Sequence, residues 1–114
     1  MRFKLIMTLV NPELTQKVIE TARESGATGD LIVPARGSGV SETKFFGISL
    51  EDKTDLVLFV VEEHIVESIL AGIEEKHQLN NSGNGIAVVL SIDRVAGLDH
   101  QIEVIKKRLK KQQL

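Results

Sequence analysis

The sequence predicts one α+β domain in which strands and helices follow the order β-α-β-β-α-β, with a further helix at the C-terminus. Three observations support this prediction. Four short apolar runs have the length of strands, two segments between them repeat apolar residues at helical spacing, and 114 residues suit a single domain. This order is the split βαβ, or ferredoxin-like, arrangement: a four-stranded antiparallel sheet with two helices on one face.

The first predicted strand is the apolar run from Phe3 to Val10. Asn11-Pro12-Glu13 then marks a helix start, because Asn can cap, Pro suits the first helical position and Glu favours the positive end of the helix dipole. Gly26 ends this helix, whose apolar face comprises Leu14, Val18, Ile19 and Ala22. A second strand is predicted from Thr28 to Ala35.

The third predicted strand, Asp55 to Val61, is the strongest strand signal in the chain. Glu62 and Glu63 open the second helix, whose apolar stripe comprises Ile65, Ile69, Leu70 and Ile73. The turn-forming cluster QLNNSGNG precedes the fourth strand, Ile86 to Ile92, and a last helix is predicted from Asp99 to Lys111. We therefore divide the chain into a domain of residues 1–98 and a C-terminal helix in residues 99–114.

The predicted strands are apolar on both faces, whereas two helices cover only one face of the sheet. A large apolar face is rarely left in water. The thin apolar stripe of the C-terminal helix is too small to cover it all. We therefore expect other subunits to bury the open face.

Composition excludes several classes of protein and site. The net charge of −2 gives no indication of nucleic-acid binding, and no apolar run approaches the roughly 20 residues of a membrane span. The absence of Cys excludes disulfides, thiolate metal sites and a Cys nucleophile, and it fits a cytoplasmic protein.

Residues 99–114 hold five basic and two acidic residues. This basic helix is either a solubilising face or a surface for an anionic partner.

The segment from Arg36 to about Asp55, which begins RGSGVSETKFFG, joins the second and third strands and is far longer than a hairpin loop of about 2–5 residues. Gly37 and Gly39 allow positive φ or a close approach of the backbone to a ligand. A second glycine-containing segment, NNSGNG, precedes the fourth strand. Because strands two and four lie at opposite edges of this fold, the two segments can meet only across a subunit boundary. The sequence thus indicates an intersubunit cleft.

From roughly Phe3 to Leu98 the sequence resembles the nitrogen-regulatory P-II and P-II-like signal-transduction proteins. The resemblance rests on the element order and on the passages ESGATGDLIVPARGSG, VEEHIVESILAGI and NNSGNGIAVVLSIDRV. It implies a non-enzymatic homotrimer that binds adenine nucleotides in the clefts between subunits. It also implies that the long loop, called the T-loop in this family, docks on a target protein according to the bound nucleotide.

The resemblance also implies site residues and an effector, which would be ATP, ADP or AMP, with or without Mg. The effector-binding residues would be Arg36, Gly37, Ser38, Gly39, Gly83, Asn84 and Gly85. The candidate partner-binding residues of the loop are Lys44, Phe45 and Phe46, because exposed aromatic pairs often mark binding surfaces; the alternative is that the two phenylalanines fold back onto the trimer core. The target, an enzyme, a transporter or a regulator, is not specified by the sequence. Ile86 stands where the family usually has Lys, and RVAGLDH lacks the usual C-terminal arginines, so we expect weakened triphosphate binding.

Two other functions remain open at this point. One is a divalent-ion-associated trimer like the CutA proteins, although His64, His77 and His100 lack metal-ligand spacing. The other is a structural or interaction trimer whose effector site has decayed. No catalytic or metal-binding residues are predicted, because no Ser has a plausible base nearby and the paired acids read as solvated surface charge.

Overall fold

In a computed structural model of the chain, the described residues are 2–36, 43–45, 48–50, 53–77 and 85–97, with positions 100, 103, 104, 106, 107 and 110. The strands are β1 (Phe3–Val10), β2 (Leu31–Arg36), β3 (Thr43–Phe45), β4 (Ile48–Leu50), β5 (Lys53–Glu62) and β6 (Gly85–Ser91). The helices are α1 (Thr15–Glu24) and α2 (Val66–His77), each preceded by a 3₁₀ turn, Pro12–Leu14 and Glu63–Ile65 respectively.

The main sheet is antiparallel and has the strand order β2-β5-β1-β6. This confirms the predicted ferredoxin-like fold, with β2 and β6 at opposite edges. No helix in the described part of the chain is long and apolar enough to cross a membrane. The predicted boundary at residue 98 and the C-terminal helix fall largely outside the described residues and stay predictions.

The start of the first helix follows from Asn11. The side-chain oxygen of Asn11 accepts a hydrogen bond from the backbone N–H of Glu13 at 3.0 Å, and Pro12 begins the turn. Regular α-helix begins only at Thr15, because the first turn is 3₁₀. The helix ends at Glu24, and Gly26 follows with a φ of 112°.

The core lies between the two helices and one face of the sheet. The register pairs Ile6 with Phe59 and Thr8 with Val57, and all four are buried. The predicted apolar faces of both helices pack here: Val18, Ile19, Ala22, Ile69 and Ile73 are buried, and Leu14, Ile65 and Leu70 pack against them. The hydroxyl of buried Thr8 donates to the Val57 carbonyl at 3.2 Å, so its burial leaves no donor unsatisfied.

The second face of the sheet is apolar and open in the single chain. Directly paired residues share a face, and on this face β1 pairs Leu5 with Val60 and Leu90, Met7 with Leu58 and Val88, and Leu9 with Leu56 and Ile86. Leu31 is 60% exposed, Val60 47% and Leu90 41%. We call these residues the open face.

Candidate effector site at the loop end of the sheet

Both glycine-containing segments adjoin the sheet at the same end. β2 ends at Arg36 opposite the first residue of β5, Lys53, while Val10 at the end of β1 pairs with both Asp55 and Gly85. Residues 37–52 therefore start and finish at this end of the sheet, and residues 78–84 lead into it at Gly85. We call it the loop end. The sequence predicted that these segments adjoin opposite edges of the sheet. The strand register adds that the strand ends next to them lie at the same end of the sheet.

The two segments nonetheless start from opposite edges. β5 and β1 separate β2 from β6. Three strand spacings of about 4.8 Å place β2 about 14 Å from β6 across the sheet. Pro34 is the residue of β2 in line with Gly85, and Arg36 lies two residues beyond it. Within one chain, the strands next to the two segments thus lie at opposite edges of the sheet, as the sequence predicted.

Gly85 has a structural requirement of its own. It is buried with a φ of 135°, and a Cβ built on it would overlap the carbonyl oxygen of Leu9 on the neighbouring strand. Only Gly fits this backbone without strain. The family resemblance implied that Gly85 binds the effector, whereas the structure gives a separate reason for glycine at this position. Gly83 and Asn84 lie outside the described residues.

Arg36 is the last residue of β2 and pairs directly with Lys53. Like charges placed directly opposite each other disfavour strand pairing. A bound anion would offset this repulsion. Sequence reasoning missed Lys53 because the pairing depends on the register of two strands that the long loop separates. Gly37, Ser38 and Gly39, which follow Arg36, lie outside the described residues, and their predicted role stays a prediction.

Asp55 ties the loop end to the first turn of α1. Its Oδ2 accepts a hydrogen bond from the hydroxyl of buried Thr15 at 2.6 Å. Beside this contact lies an open cavity of about 350 Å³, lined by Pro12, Pro34, Ala35, Lys53, Thr54 and Asp55. The only sequence signal for this arrangement is an acidic residue at the start of an otherwise apolar run.

The long loop contains a two-stranded ribbon. β3 and β4 pair antiparallel, with Thr43 opposite Leu50, Lys44 opposite Ser49 and Phe45 opposite Ile48. The register places positions 43, 45, 48 and 50 on one face of the ribbon and positions 44 and 49 on the other. Of the predicted partner-binding residues, Lys44 and Phe45 thus lie in β3, and Phe46 lies outside the described residues. The sequence does not predict this ribbon, because strands of three residues are too short to show a steady period.

The histidines form no metal centre in the described part of the chain, where no group of three or more His, Cys, Asp or Glu could hold an ion. His64 and His100 are exposed. His77 differs, because it is partly buried and its Nε2 lies 2.8 Å from the Thr21 hydroxyl. The sequence could not predict this contact between residues in different helices.

Solved structures with the same fold include P-II-like proteins. A proposed PII-like signalling protein from Thermus thermophilus is 23% identical, with a TM-score of 0.60 over 81% of this chain and 90% of that chain. The apo form of CPII from Thiomonas intermedia, a nitrogen regulatory PII-like protein, is 16% identical, with a TM-score of 0.63 over 81% and 90% of the two chains. At these identities the structures establish the fold alone.

A second structure of CPII from Thiomonas intermedia, bound to ADP, AMP and acetate, is 16% identical and has a TM-score of 0.59, with 81% of this chain and 89% of that chain covered. No curated protein shows significant similarity to the chain. The profile of the family described as nitrogen regulatory protein P-II, however, matches residues 3–111, nearly the whole sequence. The chain therefore belongs to the nitrogen regulatory protein P-II family.

Proposed function

We propose that this chain is a trimeric P-II-like signalling protein that binds an adenine nucleotide between subunits and controls a partner protein through the loop 36–55. The observation that carries the proposal is the position of the two glycine-containing segments. The strand ends that flank them lie at one end of the sheet and at opposite edges, next to an apolar open face that a second copy would cover. Packing of copies through this face brings the segments of neighbouring chains together.

The chemistry of the loop end favours an anionic effector. Arg36 and Lys53 pair directly, and an anion between them would offset their repulsion. The CPII structure that contains ADP, AMP and acetate supports an adenine nucleotide of this class. Ile86 begins the apolar part of β6 where the family usually has a cation, so we propose that AMP and ADP bind more tightly than ATP.

The same end of the sheet links the effector to the loop. The strands that carry Arg36 and Lys53 lead directly into residues 37–52, so an anion held between them would also hold the two stems of the loop together. An effector shifts the loop only by its difference in affinity for the two loop states. In this proposal the ribbon then docks on the target. Membership in a regulatory family favours a non-enzymatic protein, and we propose that it acts in the cytoplasm.

The proposal is tested by the mass of the assembly and by calorimetry. Analytical ultracentrifugation of the purified protein should give a trimer. Isothermal titration with AMP, ADP, ATP and cyclic AMP, each with and without magnesium, should give saturable binding near one site per subunit. A folded trimer that produces no heat with any nucleotide would overturn the nucleotide proposal, and a folded monomer would overturn the intersubunit site.

Replacement of Arg36 tests the site directly. Arg36→Gln removes one charge-assisted contact worth roughly 1.5–3 kcal/mol, so we expect nucleotide affinity to fall about 10-fold to 100-fold. Lys44→Gln is the matched control, since it removes a cation of the same loop from the ribbon and should leave the affinity unchanged. Equal nucleotide affinities for the Arg36→Gln protein and the unmodified chain would show that Arg36 does not contribute to the effector site.

A further inference from the structure

The C-terminal end of α2 is tied to α1 by a histidine. His77, the last residue of α2, places Nε2 at 2.8 Å from the hydroxyl oxygen of Thr21 in α1. The Thr21 hydroxyl donates its single proton to the Lys17 carbonyl at 2.9 Å, so its oxygen accepts from the N–H of His77. This contact joins the two helices at the point where the chain leaves α2 for residues 78–84.

The surroundings of His77 oppose its protonation. Partial burial is the main cause that lowers the pKa of His77 below its ordinary value of 6.5, and the positive charges of Lys17 and Lys76 lower it further. A hydrogen bond to the Lys17 backbone acts in the opposite direction. Of the nearby acids, Glu24 is in an ion pair with Lys76 at 2.7 Å, and Glu74 is exposed one turn earlier on α2.

We propose that the His77–Thr21 contact is a pH-sensitive tie, which holds the last turn of α2 against α1 when His77 is neutral and is weakened when His77 is protonated. Protonation adds a third positive charge beside Lys17 and Lys76 at a partly buried position. The N–H can still donate to Thr21, but repulsion and lost hydration now oppose the contact. The last turn of α2 therefore opens more often in acid.

The direction of the pH dependence follows from proton linkage. The unfolded chain protonates His77 near its ordinary pKa of 6.5, whereas the folded chain protonates it at lower pH. Between these two values the unfolded state binds more protons, so stability rises with pH there. The contribution of the tie is complete above about pH 6.5 and is lost as the pH falls through the lower, folded pKa.

The test is amide hydrogen exchange in the last turn of α2 at pH 7.5 and 5.5, corrected for intrinsic exchange rates, together with an NMR titration of the His77 ring. The variant His77→Gln keeps a hydrogen-bond donor without a titrating group. The matched control is His64→Gln, which removes an exposed histidine from the turn before the same helix. Circular dichroism checks that both variants are folded.

We expect opening of the last turn in the unmodified protein to increase several-fold at pH 5.5, and the His64→Gln protein to behave in the same way. The His77→Gln protein should show little change with pH. The proposal is overturned if exchange in the His77→Gln protein keeps the full pH response. A ring titration at or above pH 6.5 in the unmodified protein would overturn it independently, even if the variant failed to fold.

Discussion

At the scale of single residues, the fold requires glycine at position 85 whether or not this residue binds the effector. Its φ of 135° and the nearby Leu9 carbonyl leave no room for a side chain. We therefore expect Gly85→Ala to lower the free energy of unfolding by more than about 2 kcal/mol, as measured by urea denaturation. A loss of nucleotide binding in this variant would carry no information about phosphate contacts.

Gly29 provides the matched control for Gly85. A Cβ at Gly29 would meet nothing within 4 Å, and its backbone does not have positive φ. Gly29→Ala should change stability by less than about 1 kcal/mol, because it mainly restricts the unfolded chain. Equal losses for both substitutions would show that the left-handed backbone of Gly85 is not the cause.

At the scale of elements, the hydrogen bond from Thr15 to Asp55 joins α1 to the start of β5. Thr15→Val preserves the shape of the side chain but removes the donor to Asp55. We expect the free energy of unfolding to fall by roughly 1.5–3 kcal/mol, as for other hydrogen bonds to charged groups. Urea denaturation measures this change.

The control for Thr15 is an exposed threonine. Thr28→Val alters an exposed residue in the segment between α1 and β2 and should change stability by less than about 0.5 kcal/mol. If the Thr15→Val protein were as stable as the Thr28→Val protein, the contact with Asp55 would contribute nothing to the fold.

Also at this scale, the predictions that succeeded rest on patterns that extend over several residues. The apolar faces of α1 and α2 were predictable because each repeats over two or more turns, and the four long strands because each is largely apolar and spans six or more residues. The ribbon of β3 and β4 is too short for such a pattern. The pairing of Arg36 with Lys53, and the contacts of Thr15 with Asp55 and Thr21 with His77, join residues far apart in sequence. Local patterns carry no information about these contacts.

At the scale of the whole molecule, we expect copies of the chain to associate through the open face. Leu58 lies on a central strand of this face, paired with Met7 and Leu31. Leu58→Glu should leave the core on the other face intact but dissociate the proposed trimer into folded monomers, because it would bury a charge between subunits. Analytical ultracentrifugation gives the mass, and circular dichroism reports the fold.

Glu67→Lys is the control, since it changes a charge on the exposed side of α2. It should retain the mass of the unmodified protein. If the Leu58→Glu protein also kept that mass, the open face would not be the surface through which copies associate.

The separation of Arg36 and Gly85 on opposite edges has a consequence for mixtures of variant chains. If each site takes one segment from each of two neighbours, a chain damaged at Arg36 and a chain damaged at Asn84 are each inactive alone. In a closed ring that contains both, one boundary joins the intact segment of one chain to the intact segment of the other. Two inactive preparations, unfolded and refolded together, would then regain part of their binding, as in complementation between alleles of one gene.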